Sequence, residues 1–497
     1  MYRMSMNILL IYPEFPDTFW SFKHALEFIG KRSSLPPLGL LTVAAMLPQK
    51  WLLRLVDTNV RSLTDDDLSW ADCAFISAMV IQREPARQIA ARCKAAGLLV
   101  VAGGPLFSSE HEQFADVDHF ILNEAELTLP QFLEDLALGC AKRIYSSGEF
   151  ANIQQTPAPR WDLLDLKRYA SMSIQFSRGC PFNCDFCNIT AMLGHKVRTK
   201  TSSQIIAELD RLYALGWRSE VFFVDDNFIG NKSFLKTDLL PALIAWRKNK
   251  AGNIFCTESS INLADDEPLM DLMVDAGFTT VFMGIETPDE RCLVECSKVQ
   301  NGNRDLVEDI KRIQRAGLQV QGGFIVGFDN DQPSIFQRQI DFIQKSGIVT
   351  AMVGLLQAPA GTRLYDRMKK EGRLCKTASG DNTDGTTNII PVMSLETLKA
   401  GYRQILDHIY SPAPYYRRVR TFLREYKPPH VREKLQLSHI LAVVRSFYRL
   451  GIISKERGHY WKLMFWTQFR HPRLLPHAIL FAIYGYHFRK ICEQQMH

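Results

Sequence analysis

The chain has no apolar run long enough to cross a membrane. The longest stretch near its end, residues 474–486, is broken by Pro476 and His477 and falls short of the ~20 residues that a helical span needs. No secretory leader is recognisable, because residues 1–5 pass straight into the apolar stretch 7–12. Together with an odd count of eleven cysteines, this predicts reduced cytoplasmic thiols rather than a disulfide framework. GxGxxG is missing after every candidate strand. Gly230-Asn231-Lys232-Ser233 copies only the end of a P-loop, which disfavours nucleotide hydrolysis. Repeats and low-complexity tracts are also lacking. With 46% hydrophobic and 23% charged residues, the chain is neither disordered nor collagen-like. The net charge of +6 is too small to imply nucleic acid, but it is unevenly spread: residues 401–497 carry 17 Lys and Arg against 5 Asp and Glu.

At 497 residues about three domains are expected, at ~150 residues each. Residues 1–146 alternate apolar runs (8–12, 52–57, 74–77, 98–102, 119–122) with helical patterns such as 84–96 and 126–138. That alternation predicts an α/β domain with a doubly wound, Rossmann-like parallel sheet. Residues 147–170 are rich in Gln and Pro without a clean period and read as a linker. A second alternation fills 171–375, with strands at 173–177, 220–225, 254–258, 280–286, 319–327 and 351–357. Six strands with crossover helices predict a partial (β/α)6, TIM-like barrel whose chemistry lies at the C-terminal strand ends. Residues 376–497 turn helical, aromatic and basic.

The strongest motif follows the first barrel strand: Ser177-Arg178-Gly179-Cys180-Pro181-Phe182-Asn183-Cys184-Asp185-Phe186-Cys187. Three thiols at C-x3-C-x2-C spacing in one loop can converge on one inorganic centre, and soft thiolates favour iron–sulfur clusters or zinc. A [4Fe–4S] cluster on three cysteines leaves one iron open. Zinc would want a fourth protein ligand, for which His195 is the near candidate.

C-x3-C-x2-C with Phe186 before the last cysteine, opening a six-unit barrel, resembles the radical S-adenosylmethionine (radical SAM) enzymes over residues 173 to about 360. The resemblance implies that the open iron is chelated by the amino and carboxylate groups of S-adenosylmethionine, whose reductive cleavage gives a 5′-deoxyadenosyl radical. It also implies cofactor contacts at the later strand ends: Asp225 and Asp226 after the second, Glu258 and Ser260 after the third, Glu286 after the fourth. Gly323 and Gly327 resemble the family's glycine-containing fifth strand. An external electron donor such as flavodoxin or ferredoxin is implied as well.

Placed before such a barrel, residues 1–146 resemble the cobalamin-binding domain of the cobalamin-dependent subgroup. The matches are Leu35-Pro36-Pro37-Leu38-Gly39, Asp57, Ser77 with Met79 and Gln82, Gly103-Gly104-Pro105, and Asn123-Glu124-Ala125-Glu126. The Asp-x-His-x-x-Gly motif of many cobalamin proteins is absent, since Asp57 is followed by Thr58-Asn59-Val60-Arg61. Base-off binding without a histidine ligand is therefore expected, His111 being the sole histidine near the expected loop.

The third part resembles the helical extension of hopanoid C-2 methyltransferases and of the bacteriochlorophyll C-8 and C-12 methyltransferases. After Gly372 it departs from the hopanoid pattern: a cysteine-containing element gives way to Asn388-Ile389-Ile390-Pro391-Val392-Met393. The resemblance as a whole implies a cobalamin-dependent C-methyltransferase acting on an unactivated carbon of an apolar, lipid-like or tetrapyrrole molecule. A non-methylating radical reaction with the same cofactors and a non-catalytic metal-binding scaffold are the rivals. The basic, aromatic segments 415–420 and 437–453 fit helices packed on the barrel with solvated cationic faces, or peripheral contact with an anionic membrane. Neither resembles a nucleic-acid reader. Cys292 and Cys296 read as buried structural thiols.

Overall fold

The computed structural model describes residues 5–429 and 437–495. The first sheet is six-stranded and wholly parallel, in the order β2-β1-β3-β4-β5-β6. Its strands are β1 (Asn7–Tyr12), β2 (Leu52–Asp57), β3 (Cys73–Ser77), β4 (Leu99–Gly103), β5 (His119–Ile121) and β6 (Ile144–Tyr145). Aliphatic residues alternate between two covered faces: Leu9, Ile11, Ala74 and Ile76 pack into one core, while Ile8, Leu10, Cys73 and Phe75 pack into the other. This is why nearly continuous apolar runs, rather than alternating ones, mark these strands. Strand order reverses between β1 and β3, the switch point where open α/β sheets hold ligands beyond their strand ends.

Residues 147–170 form no loose connection. Three short 3-10 turns, Ile153–Gln155, Trp161–Leu163 and Leu166–Arg168, pack against the body, with Trp161 1% and Tyr169 2% exposed. The Tyr169 hydroxyl donates to Asp57 Oδ2 at 2.9 Å, tying the segment to the end of β2.

The second sheet holds β7 (Met172–Ile174), β10 (Val221–Phe223), β11 (Phe255–Glu258), β12 (Phe278–Glu286), β13 (Gln319–Val326) and β14 (Ala351–Leu355). All are parallel, in the order β14-β13-β12-β11-β10-β7. Crossover helices such as Glu267–Ala276 and Ile335–Ser346 stand between consecutive strands, and β7 and β14 remain unpaired with each other. The barrel is therefore partial, as six βα units predict. Between β7 and β10 lies a two-stranded antiparallel hairpin, β8 (Ser177–Arg178) with β9 (Arg198–Thr199), and it encloses the cysteine loop.

The C-terminal part is helical: Leu395–Tyr410, Pro412–Glu425, Leu437–Ser446 continuing as the π-helical Phe447–Ile453, Arg457–Arg470 and Leu475–Gln495. Its basic residues are not all solvated. Arg418 is 1% exposed and donates to the carbonyls of Ile409 (2.8 Å) and Val349 (3.2 Å) and to Gln344 (3.2 Å). Among the described residues no helix is long and apolar enough to cross a membrane.

Candidate functional site

The cysteine loop is shaped by sequence features at its entrance. Gly179 has φ +93°, and a Cβ there would lie 2.8 Å from the Lys196 carbonyl oxygen, so glycine alone fits between the loop's two ends. The Cys180 N–H donates to the Gly194 carbonyl (3.2 Å) and that of Cys187 to the Cys184 carbonyl (3.2 Å). The Asp185 N–H reaches the Cys296 carbonyl at 3.0 Å, and the Asp185 carboxylate pairs with Arg363 at 2.5 Å. All three thiols are partly buried. Burial raises the Cys180 thiol and pushes that of Cys187 up to about 12, a cost that a metal taking the thiolate would offset. Among the described residues no three His, Cys, Asp or Glu side chains are placed to share a single ion. A cluster asks for something else: one thiolate on each of three irons, from a soft donor set. His195 is an exposed residue of this loop.

Around the loop the barrel strands end in carboxylates. Asp225 is fully buried and accepts from the Phe176 N–H (3.2 Å), the Ser177 N–H and the Ser177 hydroxyl (2.5 Å). It thus fixes the chain entering the cysteine loop. Burial lifts its carboxyl to about 7 against those hydrogen bonds. Asp226 differs: its buried Oδ2 has no hydrogen-bond partner, and burial raises its carboxyl to about 6. Glu258 is raised to about 8, by burial and then by the charges of Asp226 and Asp225. Three crowded carboxyls, one with an orphaned oxygen, fit a cationic ligand group such as an ammonium or sulfonium.

Glu286 sits at φ +66°, a left-handed conformation rare outside glycine and asparagine and frequent at functional sites. Its Oε1 is 2.7 Å from Lys298 Nζ. A Cβ at Gly284 would lie 2.2 Å from that oxygen, so the absent side chain makes room for the pair. Although burial opposes its charge, the Glu286 carboxylate beside it holds the Lys298 ammonium above its ordinary value. Gln300 donates weakly to Cys184 Sγ at 3.8 Å. Ser260 bonds Asn262 (2.6 Å) and the buried Asn227 (3.2 Å). The Phe186 ring lies 6.4 Å from Phe328 and 5.9 Å from Lys298 Nζ. At Gly323 a Cβ would meet the Phe282 ring at 2.9 Å. Gly327 gives its N–H to Asp331 at 2.7 Å. Lys298 and Gln300 escape a reading of the sequence; only their short distance along the chain from Glu286 hints at them.

The C-terminal edge of the first sheet presents the other set. Gly104 (φ +92°) follows β4, and a Cβ there would lie 2.7 Å from the Ser77 hydroxyl at the end of β3. Gly103 pairs with Ser77 across the strands, and Pro105 begins the helix Pro105–Glu110. Gln82 is fully buried: its amide nitrogen reaches the Pro13 carbonyl, and its oxygen accepts the Met79 N–H at 2.7 Å. Gln82 therefore pins this loop to the end of β1 while the Met79 side chain stays exposed. His111 packs edge-on against Phe120 at 5.6 Å.

The two edges are joined by charge. Arg178 and Arg198 stand directly opposite each other in the hairpin, a like-charge pairing that costs stability unless neutralised. Glu124, just beyond β5, lies 3.1 Å from Arg178 and 2.9 Å from Arg198, and Glu126 lies 2.8 Å from Arg178. Arg83, beyond β3, donates to the Ala378 carbonyl at 2.9 Å, in the segment after β14. The C-terminal strand ends of the first sheet are thus held against the barrel rim that carries the cysteines.

A three-cysteine loop at the C-terminal rim of an open, parallel six-stranded barrel defines a radical SAM enzyme, and residues 174–343 match the Radical SAM superfamily. Residues 362–497 match a Domain of unknown function (DUF4070). The chain is 41% identical to an uncharacterized methyltransferase of Synechocystis sp., covering 99% of this chain and 93% of that protein. It is 32% identical to the hopanoid C-2 methylase of Rhodopseudomonas palustris, covering 93% and 89%. Among solved structures it resembles the cobalamin-dependent radical enzyme OxsB (TM-score 0.62, 15% identity, 99% of this chain and 80% of that one). The methyltransferase TsrM from Kitasatospora setae, solved with cobalamin and a [4Fe–4S] cluster, is also similar (TM-score 0.58, 15% identity, 99% and 100%). The chain belongs to the radical SAM methyltransferase family that includes the hopanoid C-2 methylase of Rhodopseudomonas palustris.

Proposed function

We propose that the chain methylates an unactivated carbon of an apolar substrate, lipid-like or tetrapyrrole-like, using a [4Fe–4S] cluster, S-adenosylmethionine and cobalamin. The observation that carries this reading is the charge-locked apposition of the cysteine hairpin and the C-terminal edge of the first sheet, since that reaction needs both cofactor sites side by side. When bound, the cluster and S-adenosylmethionine supply radical chemistry and cobalamin supplies a methyl carrier. Cys180, Cys184 and Cys187 would hold the cluster. Asp226, Glu258 and Glu286, with Phe186, Ser260, Gly323 and Gly327 around them, would orient S-adenosylmethionine, and Asp225 would fix the loop from behind. Ser77, Met79, Gly103, Gly104 and Pro105 would border cobalamin, with Gln82 setting the loop between them. An electron donor of the flavodoxin or ferredoxin kind would meet the loop, and peripheral membrane contact would supply the substrate. Anaerobic reconstitution should give about four irons per chain, as one [4Fe–4S] cluster requires, and Cys184→Ala should abolish S-adenosylmethionine cleavage. Methyl-labelled S-adenosylmethionine should label the product. An iron-free protein filled with zinc, or a product without label, refutes the reading.

A further inference from the structure

Helix Leu437–Ser446 and its continuation Phe447–Ile453 are amphipathic the wrong way round for a surface element of a free-standing protein. Their charges and small residues face inward. Arg445 donates to the carbonyls of Glu27 (2.7 Å) and Phe28 (3.2 Å) at the end of helix Lys23–Ile29, and Arg449 pairs with Glu27 at 2.6 Å. Ala442, Ser446 and Leu450, on the same side at helical spacing, are buried. Outward lie Ile440, Val443, Val444, Phe447, Tyr448, Ile452 and Ile453, the last 58% exposed. The stripe continues onto the next helix: Phe447 meets Trp461 edge-on at 5.4 Å, Trp461 stacks on Phe465 at 5.5 Å, and Phe469, one turn on, is 82% exposed. A continuous apolar face of this kind marks an interaction surface.

Charge decides what covers it. Residues 437–475 contain seven Lys and Arg and one acidic residue, Glu456, whose carboxylate is paired with Arg489. Lys455, Arg457, Lys462, Arg470 and Arg473 are exposed and make no ion pair among the described residues. Exposed aromatics and aliphatics bordered by unpaired cations match a bilayer, whose interior takes the apolar side chains while its anionic headgroups take the cations. We propose that this face, formed by 440–453 and 461–469, seats the protein on an anionic membrane leaflet. The proposal deepens the reading above by naming where an apolar substrate is met, and it rests on that reading only for its purpose. Each cation at an anionic surface is worth about fivefold in partitioning.

The test is flotation of the full chain with vesicles of phosphatidylcholine alone or mixed with phosphatidylglycerol, at low and high salt. Binding is expected with phosphatidylglycerol and not without it, with release by salt. The variant K455S/K462S/R470S should bind about a hundredfold more weakly, and V444S/I453S/F469S should lose flotation, both with unchanged circular dichroism. No flotation, flotation indifferent to these variants, or a stable dimer in sedimentation that masks the face would overturn the proposal. Label transfer to a detergent-dispersed substrate is read separately, so failure of docking and failure of the methylation reading are distinguishable.

Discussion

Removing the Arg178 guanidinium tests whether the first domain organises the cysteine loop. Arg178 makes three hydrogen bonds to Glu124 and Glu126, of 2.8 to 3.1 Å, and one to Gln175 at 2.8 Å. In Arg178→Met, Glu124 keeps Arg198 at 2.9 Å, but Glu126 is left with the Thr156 hydroxyl at 2.7 Å. The side chains involved are only 4% to 13% exposed. Taking one partner from a buried pair costs about 3–5 kcal/mol. The lower end applies here, because Glu124 is re-neutralised by Arg198. About 3 kcal/mol corresponds to roughly a hundredfold in the opening equilibrium at 1.4 kcal/mol per decade. Hydrogen exchange should therefore accelerate by about a hundredfold in 177–199, while the first sheet's β3 and β4 hold their protection. The parent should lose the same protection in acid. Burial raises the Glu126 carboxyl, but the Arg178 hydrogen bond and charge bring it below its ordinary 4.5. Its contribution is thus complete above pH 4.5 and lost as pH falls through the lower folded value. Exchange within threefold of the parent in Arg178→Met would refute the argument.

Binding of S-adenosylmethionine should strengthen as pH rises from 6 to 8. Glu258, raised to about 8, and Asp226, raised to about 6, must release protons to meet a cationic group. Calorimetry in buffers of differing ionisation enthalpy should detect that release, and uptake instead would contradict the assignment. Arg418→Met should cost about 2–3 kcal/mol in urea unfolding, because it orphans the buried carbonyls of Val349 and Ile409 and the half-buried Gln344 oxygen, which had bonds to a charged donor. Arg418→Lys should recover less than half of that, since a point charge cannot span all three.

Much of this was legible along the chain. Buried parallel strands need aliphatic runs, so β1 to β5 and the barrel strands stand where such runs do, within a few residues. The two-residue elements were not: β6, β8 and β9 are too short to carry a period, and they exist because neighbouring chain closes over them. The cysteine loop announces itself by spacing. By contrast, Asp225-Asp226-Asn227 shows three polar groups without showing that Asp225 faces back to Ser177 while Asp226 keeps a free oxygen. Lys298 looks like any surface lysine until the fold places it 2.7 Å from Glu286. The arginines of 415–420 and 437–453 read as a solvated face, yet tertiary packing turns Arg418, Arg445 and Arg449 onto carbonyls and a carboxylate.

The hydrophobic core beneath the barrel bears on how such enzymes can diversify. Phe19 and Leu41 from the first domain, Trp161 from the linking segment, the barrel strands, and Tyr415 and Phe488 from the final helices all belong to one buried cluster, in which Phe19 stacks on Phe488 at 4.2 Å. A gene segment encoding the tail of a relative could not be spliced on without leaving rings from two distant exchanges mismatched. Exchange of the whole tail for a relative's is therefore expected to cost stability throughout the shared cluster. Changes in exposed stretches, such as the segment around Ala378 that leans on the β3 loop, are expected to be tolerated far better than changes in this common interior.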